Sequence, residues 1–193
     1  MAVDGKYQGH IIVSDIIKED SYKAISDLRQ LGIKKMIMLT GDESFTAEAV
    51  ASQLKLDAVY SGLLPHQKVE IMEKIKSDAK GRLVFVGDGI NDAPVLAMAD
   101  ISVSMGALGS EAAIEASDIV LMTDEPSKLA KAVKIAKMTR SVAIQNIVFA
   151  IVVKLLVLLL GTTGLATMWE AEFADVGVTL IAVFNALRIV KSN

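Results

Sequence analysis

Along the first 138 residues, short apolar runs alternate with stretches whose apolar positions recur every three or four residues. That pattern predicts strands interleaved with helices. Ala2–Val3 and His10–Ser14 read as two short strands joined through the turn Asp4-Gly5-Lys6. A helix over Ser21–Gln30 stops at Gly32, and the apolar strand Lys35–Leu39 ends in Thr40-Gly41-Asp42. A helix over Phe45–Leu54, a strand at Ala58–Tyr60 and a helix from Pro65 to about Ser77 follow, proline being well suited to a first helical turn. Leu83–Val86 leads into Gly87-Asp88-Gly89, and Asp92–Met98 reads as a short helix. Ile101–Ser104 and Ile119–Leu121 are two more strands, with a helix at Ser110–Ala116 between them. Such alternation implies a parallel sheet covered on both faces. Ligands on sheets of this kind sit beyond the carboxyl ends of the strands, where Thr40 and Asp88 fall.

The pattern then changes. A long helix is expected to begin near Pro126 and run through Lys131, Lys134, Lys137 and Arg140 into the apolar stretch Val142–Leu160. Gly161-Thr162-Thr163-Gly164 breaks it, and Phe173–Val190 is a second apolar stretch. Each is near the ~20 residues that a helix needs to span a bilayer. A buried hairpin of a soluble protein is the alternative, but Ile147–Leu160 is apolar all round apart from Lys154. Basic residues precede the first span and follow the second (Arg188, Lys191), whereas the connecting loop carries Glu170 and Glu172. The positive-inside rule therefore expects both ends in the cytoplasm of a multi-pass protein of the cell membrane. The expected organisation is a terminal pair of strands and hinge at 1–15, an α/β module at 16–138 and two membrane helices at 139–193.

Composition agrees with that division. Hydrophobic residues make up 52% of the 193, and the mean hydropathy of +0.46 is high for a soluble domain. A net charge of -3 gives no reason to expect nucleic acid as a partner. Cysteine is absent, which removes thiolate metal sites within these residues.

Three strand-end motifs offer phosphoryl-transfer chemistry. Thr40-Gly41-Asp42 presents a hydroxyl and backbone N–H groups, and Lys68 in Pro65-His66-Gln67-Lys68 carries a charge that could neutralise a phosphoryl oxygen. Asp88 and Asp92 set two carboxylates around a glycine-rich turn, which suits Mg²⁺. Together they could stabilise a metaphosphate-like transition state by position and charge. Alone, each motif is an ordinary turn or a solvated lysine; their order along the chain is what carries weight.

TGD, PxxK and GDGINDAPVL resemble the later motifs of the haloacid dehalogenase superfamily in the form found in P-type ATPases. The resemblance extends through Ala99-Asp100 and Ser117–Leu121. It implies a Rossmann-like α/β sheet, incomplete here, followed by the transmembrane hairpin. It also implies that Thr40, with Gly41 and Asp42, and Lys68 contact an aspartyl phosphate, and that Asp88 binds Mg²⁺ with Asn91 and Asp92 in support. ATP would be bound mainly by a nucleotide-binding domain outside this chain. The family's DKTGT nucleophile motif does not occur; Asp15 is its nearest imitation and lacks the following Thr. The chain is therefore expected to begin after the nucleophile and not to turn over ATP by itself.

The membrane stretches hold Lys154 and Asp175. An ionisable group in a spanning helix costs at least ~2.5 kcal/mol, so it is a functional candidate by default. Lys154 follows Arg140 by 14 residues and Asp175 precedes Arg188 by 13, which puts the two charges at similar depth in antiparallel helices, able to pair. Asn146, seven residues, Lys154, and then Asp175-Val176-Gly177 resemble the last two membrane helices of zinc/cadmium/lead-transporting ATPases. That resemblance implies Asp175 as a ligand of the transported ion and Lys154 as its counter-charge. Asn146 would support them, and Gly177 would admit a close helix. Carboxylate ligation fits a divalent borderline ion such as Zn²⁺. The expected partners are Zn²⁺, Cd²⁺ or Pb²⁺ as cargo, the lipid bilayer and the remainder of the ATPase. The alternative is a membrane-anchored phosphatase-like protein or a pseudo-enzyme that binds Mg²⁺ without turnover.

Overall fold

The computed structural model describes residues 2–3, 6–8, 16–87, 92–106, 114–115, 117–165 and 167–191. The chain forms two compact units, Met1–Leu129 and Ala130–Asn193.

In the first unit, β1 (Ala2–Val3) and β2 (Lys6–Tyr7) form an antiparallel pair with Ala2 opposite Tyr7 and Val3 opposite Lys6. Lys6, expected in the turn, is a strand residue. Asp4 and Gly5, between the two strands in sequence, lie outside the described residues. The strand expected at His10–Ser14 lies outside the described residues, as does most of the helix expected at Ser110–Ala116, of which Ile114 and Glu115 are helical.

The rest of the unit alternates as the pattern requires. α1 (Glu19–Gln30), β3 (Ile37–Leu39), α2 (Ser44–Gln53), β4 (Ala58–Tyr60) and α3 (Pro65–Asp78) come first. β5 (Val84–Gly87), α4 (Ala93–Leu96), β6 (Ile101–Met105) and β7 (Ile119–Leu121) follow. All pairings from β3 to β7 are parallel: β3 with β4, and β5–β6–β7 in a second ladder. Met72, Val95, Leu96 and Val103 are almost fully enclosed and form the heart of the packing.

Local chemistry explains the ends of these elements. α1 carries Glu19 and Asp20 in its first turn and Arg29 in its last, both favourable to the helix dipole. It ends at Gly32, whose φ of 86° places it in the left-handed region that glycine adopts without strain. There the N–H of Gly32 reaches the Arg29 carbonyl at 2.9 Å and that of Ile33 reaches Leu28 at 3.1 Å, closing the helix in a Schellman motif.

Three parallel strands are latched at their starts in the same way. Asp57, just before β4, accepts the Met36 N–H at 2.7 Å beside β3. Asp100, just before β6, accepts the Leu83 N–H at 2.8 Å beside β5. Asp118, just before β7, accepts the Ser102 N–H at 2.8 Å and its hydroxyl at 2.9 Å. Backbone donation holds all three carboxyls below the usual aspartate range; Arg29 adds to this at Asp57 and Lys76 at Asp100. The latches explain why β3 and β5 start later than the apolar runs suggest: Met36 and Leu83 give their N–H groups to a side chain, not to the ladder.

The second unit is built on α5 (Ser127–Thr162) and α6 (Met168–Lys191), both long and apolar enough to cross a membrane. α5 runs unbroken past 138–139, where the module boundary was expected. It ends at the expected break, where Gly164 (φ 73°) donates to Gly161 at 3.1 Å and Leu165 to Leu160 at 3.0 Å. Most side chains of both helices are exposed. Half-buried positions nevertheless form a stripe at spacings of three and four on each: Asn146, Ala150, Val153 and Val157 on α5, and Ala171, Ala174, Val178, Ala182, Asn185 and Ile189 on α6. Alanine supplies three of the six positions on α6, whereas valine and Asn146 make up most of the α5 stripe.

Candidate functional sites

Of the phosphoryl-site candidates in the first unit, Thr40, Gly41 and Asp42 lie at the carboxyl end of β3, and Lys68 meets Asp92 beside the carboxyl end of β5. Thr40 follows β3 and prolongs its pairing, donating its N–H to the Tyr60 carbonyl at 2.9 Å. Its hydroxyl donates to Asp42 Oδ2 at 2.7 Å and accepts the Asp42 N–H at 3.1 Å, which closes Thr40-Gly41-Asp42 into a tight loop. The loop is held from outside as well: the Leu63 N–H donates to the Thr40 carbonyl at 3.0 Å and the Gly62 N–H to the Asp42 carbonyl at 2.8 Å. Gly62, at φ 63°, supplies the left-handed turn that this clasp needs.

Lys68 lies in the first turn of α3. Pro65 opens that helix and the Gln67 side chain accepts the Leu64 N–H at 2.9 Å. Lys68 Nζ donates to Asp92 Oδ1 at 2.9 Å, and the two side chains are only 15% and 13% exposed. So shielded a pair has lost much of its hydration, and each charge depends on the other. Asp92 also packs against Gly87 at the end of β5. A Cβ at position 87 would sit 3.0 Å from Asp92 Cβ, 3.1 Å from its Oδ2 and 3.2 Å from Phe85 Cε1. The glycine is therefore the residue that lets the carboxylate close onto the strand end. Asp88 and Asn91 lie outside the described residues. Among the described residues no cluster of three or more metal-ligating side chains forms.

In the second unit, Lys154 and Asp175 are exposed on their helices, and neither makes an ion pair among the described residues. A Cβ built on Gly177 would meet no atom within 4 Å, so the space beside it is open. The polar contacts between the helices lie nearer their basic ends. Asn146 Nδ2 donates to the Ala182 carbonyl at 3.1 Å, and Asn185 Nδ2 donates to Asn146 Oδ1 at 2.9 Å and to Gln145 Oε1 at 3.4 Å. Arg188 completes the ladder by donating to Asn185 Oδ1 at 3.0 Å. An open cleft of about 420 Å³ flanks it, with Phe149, Ile181 and Phe184 in its walls. The sequence marks Asn146 and Gly177 as supporting residues of the spans, and of these only Asn146 takes part in the ladder. Asn185 and Gln145 are visible as polar interruptions, but their partnership depends on helix register, which a linear pattern does not carry.

Residues 1–100 match the family model of haloacid dehalogenase-like hydrolases, and the chain belongs to that family. Within it the likeness is narrower. The chain is 55% identical over 192 residues to a zinc-transporting ATPase of Synechocystis and 57% identical over 193 residues to a cadmium, zinc and cobalt-transporting ATPase of Bacillus subtilis. Each match takes in 99% of this chain but only 27% and 28% of the relative, so the chain spans about a quarter of those proteins' length. The crystal structure of a zinc-transporting PIB-type ATPase in its E2.Pi state superposes with a TM-score of 0.81 at 37% identity, over 91% of this chain and 28% of that one.

Proposed function

We propose that the chain is the phosphorylation-module and terminal-helix part of an ATP-driven exporter of divalent heavy metals. One observation carries this reading: the similarity to zinc and cadmium transporters covers 99% of the chain and so takes in the phosphoryl-site loops and the Lys154/Asp175 helices together.

At the phosphoryl end, Thr40 and the clasped Gly41-Asp42 backbone face the transferring group, and Lys68 offsets its charge. The reacting carboxylate is an aspartate supplied by the remainder of the ATPase, and ATP is bound mainly there. Asp88 and Asp92, with Asn91 in support, would hold Mg²⁺. The donor chemistry suits it, because Mg²⁺ keeps several waters and needs only one or two protein carboxylates, and Asp92 is held oriented by Lys68 and Gly87. When bound, the ion would supply positive charge to the transferring group, for which catalysis is chiefly positioning and electrostatics.

At the membrane end, Asp175 is a ligand for Zn²⁺, Cd²⁺ or Pb²⁺, and Lys154 replaces the ion's charge after release. The basic residues flanking both helices support a cytoplasmic location for the soluble module and the C-terminal end. The test is Asp175→Ala in the complete pump. Loss of Zn²⁺- and Cd²⁺-stimulated ATP hydrolysis is expected. Stimulation that survives unchanged removes Asp175 from the ion path, whereas a complete wild-type protein with no metal-stimulated ATP hydrolysis favours a membrane-anchored phosphatase-like protein.

A further inference from the structure

The amide ladder lies some distance along the helices from Lys154 and Asp175, yet it bears on both. Asn146 is level with 182–185 on α6 through its bonds to the Ala182 carbonyl and to Asn185. In an antiparallel pair, eight residues forward from Asn146 corresponds to eight residues back from 182–185. The first step reaches Lys154 and the second reaches 174–177, which contains Asp175. The two charges are thus brought level by a contact about two helical turns away, at ~1.5 Å of rise per residue, and not by a bond to each other.

The half-buried stripes cannot set this register alone. They consist largely of alanine and valine and repeat every three or four residues, so a slip of one turn would again set apolar residues opposite one another. Asn146 and Asn185 are the amide-bearing members of those stripes, and their bond ties the two helices together at one level. A single polar residue at a seam position is an established device for fixing helix register. In a bilayer, where lipid tails are as apolar as the side chains, helix association rests on packing and on interhelical hydrogen bonds such as these.

We propose that Asn185 is a positioning residue: bonded to Asn146 and braced by Gln145 and Arg188, it locks the longitudinal register of the two helices and thereby holds Asp175 level with Lys154. The significance of that level rests on the ion-path reading above, but the register itself does not.

The chain contains no cysteine, so paired cysteines report helix register directly. Ala150 is level with 178–181, and Val178 is the stripe residue there; Ala174 is one turn away. In membranes, disulfide formation is expected to favour A150C/V178C over A150C/A174C. Adding Asn185→Leu should lower that preference by about threefold to tenfold, the weight of one or two interhelical polar contacts in a bilayer. Asn185→Gln, which keeps the amide, should restore part of it. If Asn185→Leu alone impairs insertion, the double variant Asn146→Leu/Asn185→Leu leaves no orphaned amide and makes the same comparison. In the complete pump, the same variants should raise the Zn²⁺ concentration needed for half-maximal stimulation more than they lower kcat. An undiminished preference for A150C/V178C in both leucine variants overturns the proposal. Because cross-linking needs no transport, that result is separate from any failure of Asp175 as an ion ligand.

Discussion

Gly87 and Asp92 are in such close apposition that a single methyl group on the glycine would lie 3.0 Å from the aspartate Cβ and 3.1 Å from its Oδ2. The contact seats the carboxylate where Lys68 Nζ reaches it at 2.9 Å. Gly87→Ala should therefore displace Asp92 and stretch the Lys68 bond, with a stability loss of about 1–3 kcal/mol, as for other overpacked sites. Phosphoenzyme formation by the complete pump should fall with it. Urea unfolding and phosphorylation measured on the same preparation check both effects, and an unchanged midpoint with normal phosphorylation refutes the cradle.

Ser104 offers the opposite case. It is 2% exposed, sits opposite Gly87 in the β5–β6 ladder, and its hydroxyl has no hydrogen-bond partner among the described residues. An unpartnered buried hydroxyl costs about 1–3 kcal/mol. Ser104→Ala is expected to stabilise the protein, read as a rise in the denaturant midpoint. A lower midpoint would mean that the hydroxyl is satisfied in solution.

The three aspartate latches predict an acid limb in the stability profile. Asp57, Asp100 and Asp118 are held below the ordinary aspartate range in the folded protein, chiefly by backbone N–H donation. Groups depressed in this way stabilise the fold above the unfolded-chain value near 3.8, and that contribution is lost as pH falls through the lower folded values. Stability should be flat from neutrality to about pH 5 and decline below it, where unfolded-chain carboxylates begin to take up protons. Asp100→Asn keeps an acceptor for Leu83 but not the charge, so it should lower stability at neutral pH and flatten the acid limb. An acid limb of unchanged steepness in Asp57→Asn, Asp100→Asn and Asp118→Asn alike would contradict the assignment.

Much of this architecture is legible in the linear pattern. Apolar runs ending in TGD and GDG locate β3 and β5, Pro65 marks the start of α3, and the Gly161–Gly164 break coincides with the Schellman turn at the end of α5. Thr40, Lys68 and Asp92 stand out because each falls at the end of a strand or the start of a helix. What the pattern misses is long-range pairing. Nothing near Asp57 or Asp100 in sequence announces that the partner is a backbone N–H 21 or 17 residues upstream. The Asn146–Asn185 bond joins residues 39 apart, across the loop between two helices. Both kinds of contact recur at element boundaries or stripe positions, so an aspartate just before an apolar strand, or an amide at the same stripe level of two adjacent spans, is the signal to read.

Lys154 provides a further test of the ion path. On the proposed reading its ammonium, which makes no ion pair with Asp175 among the described residues, would replace a departing cation. Lys154→Met should slow release, so that the half-saturating Zn²⁺ concentration and kcat fall together in steady-state ATPase measurements on the complete pump. A higher half-saturating concentration with kcat unchanged would instead make Lys154 part of metal capture.

On the proposed function, α5 and α6 carry a divalent metal past Asp175, driven by the module that holds Thr40, Lys68 and Asp92. The most direct test is ATP-dependent uptake of radiolabelled zinc into inside-out vesicles containing the complete pump. Wild type is expected to accumulate zinc, and Asp175→Asn, which keeps the side-chain size but not the charge, is expected to accumulate none above the ATP-free background. Undiminished accumulation by Asp175→Asn would contradict an ion path through Asp175.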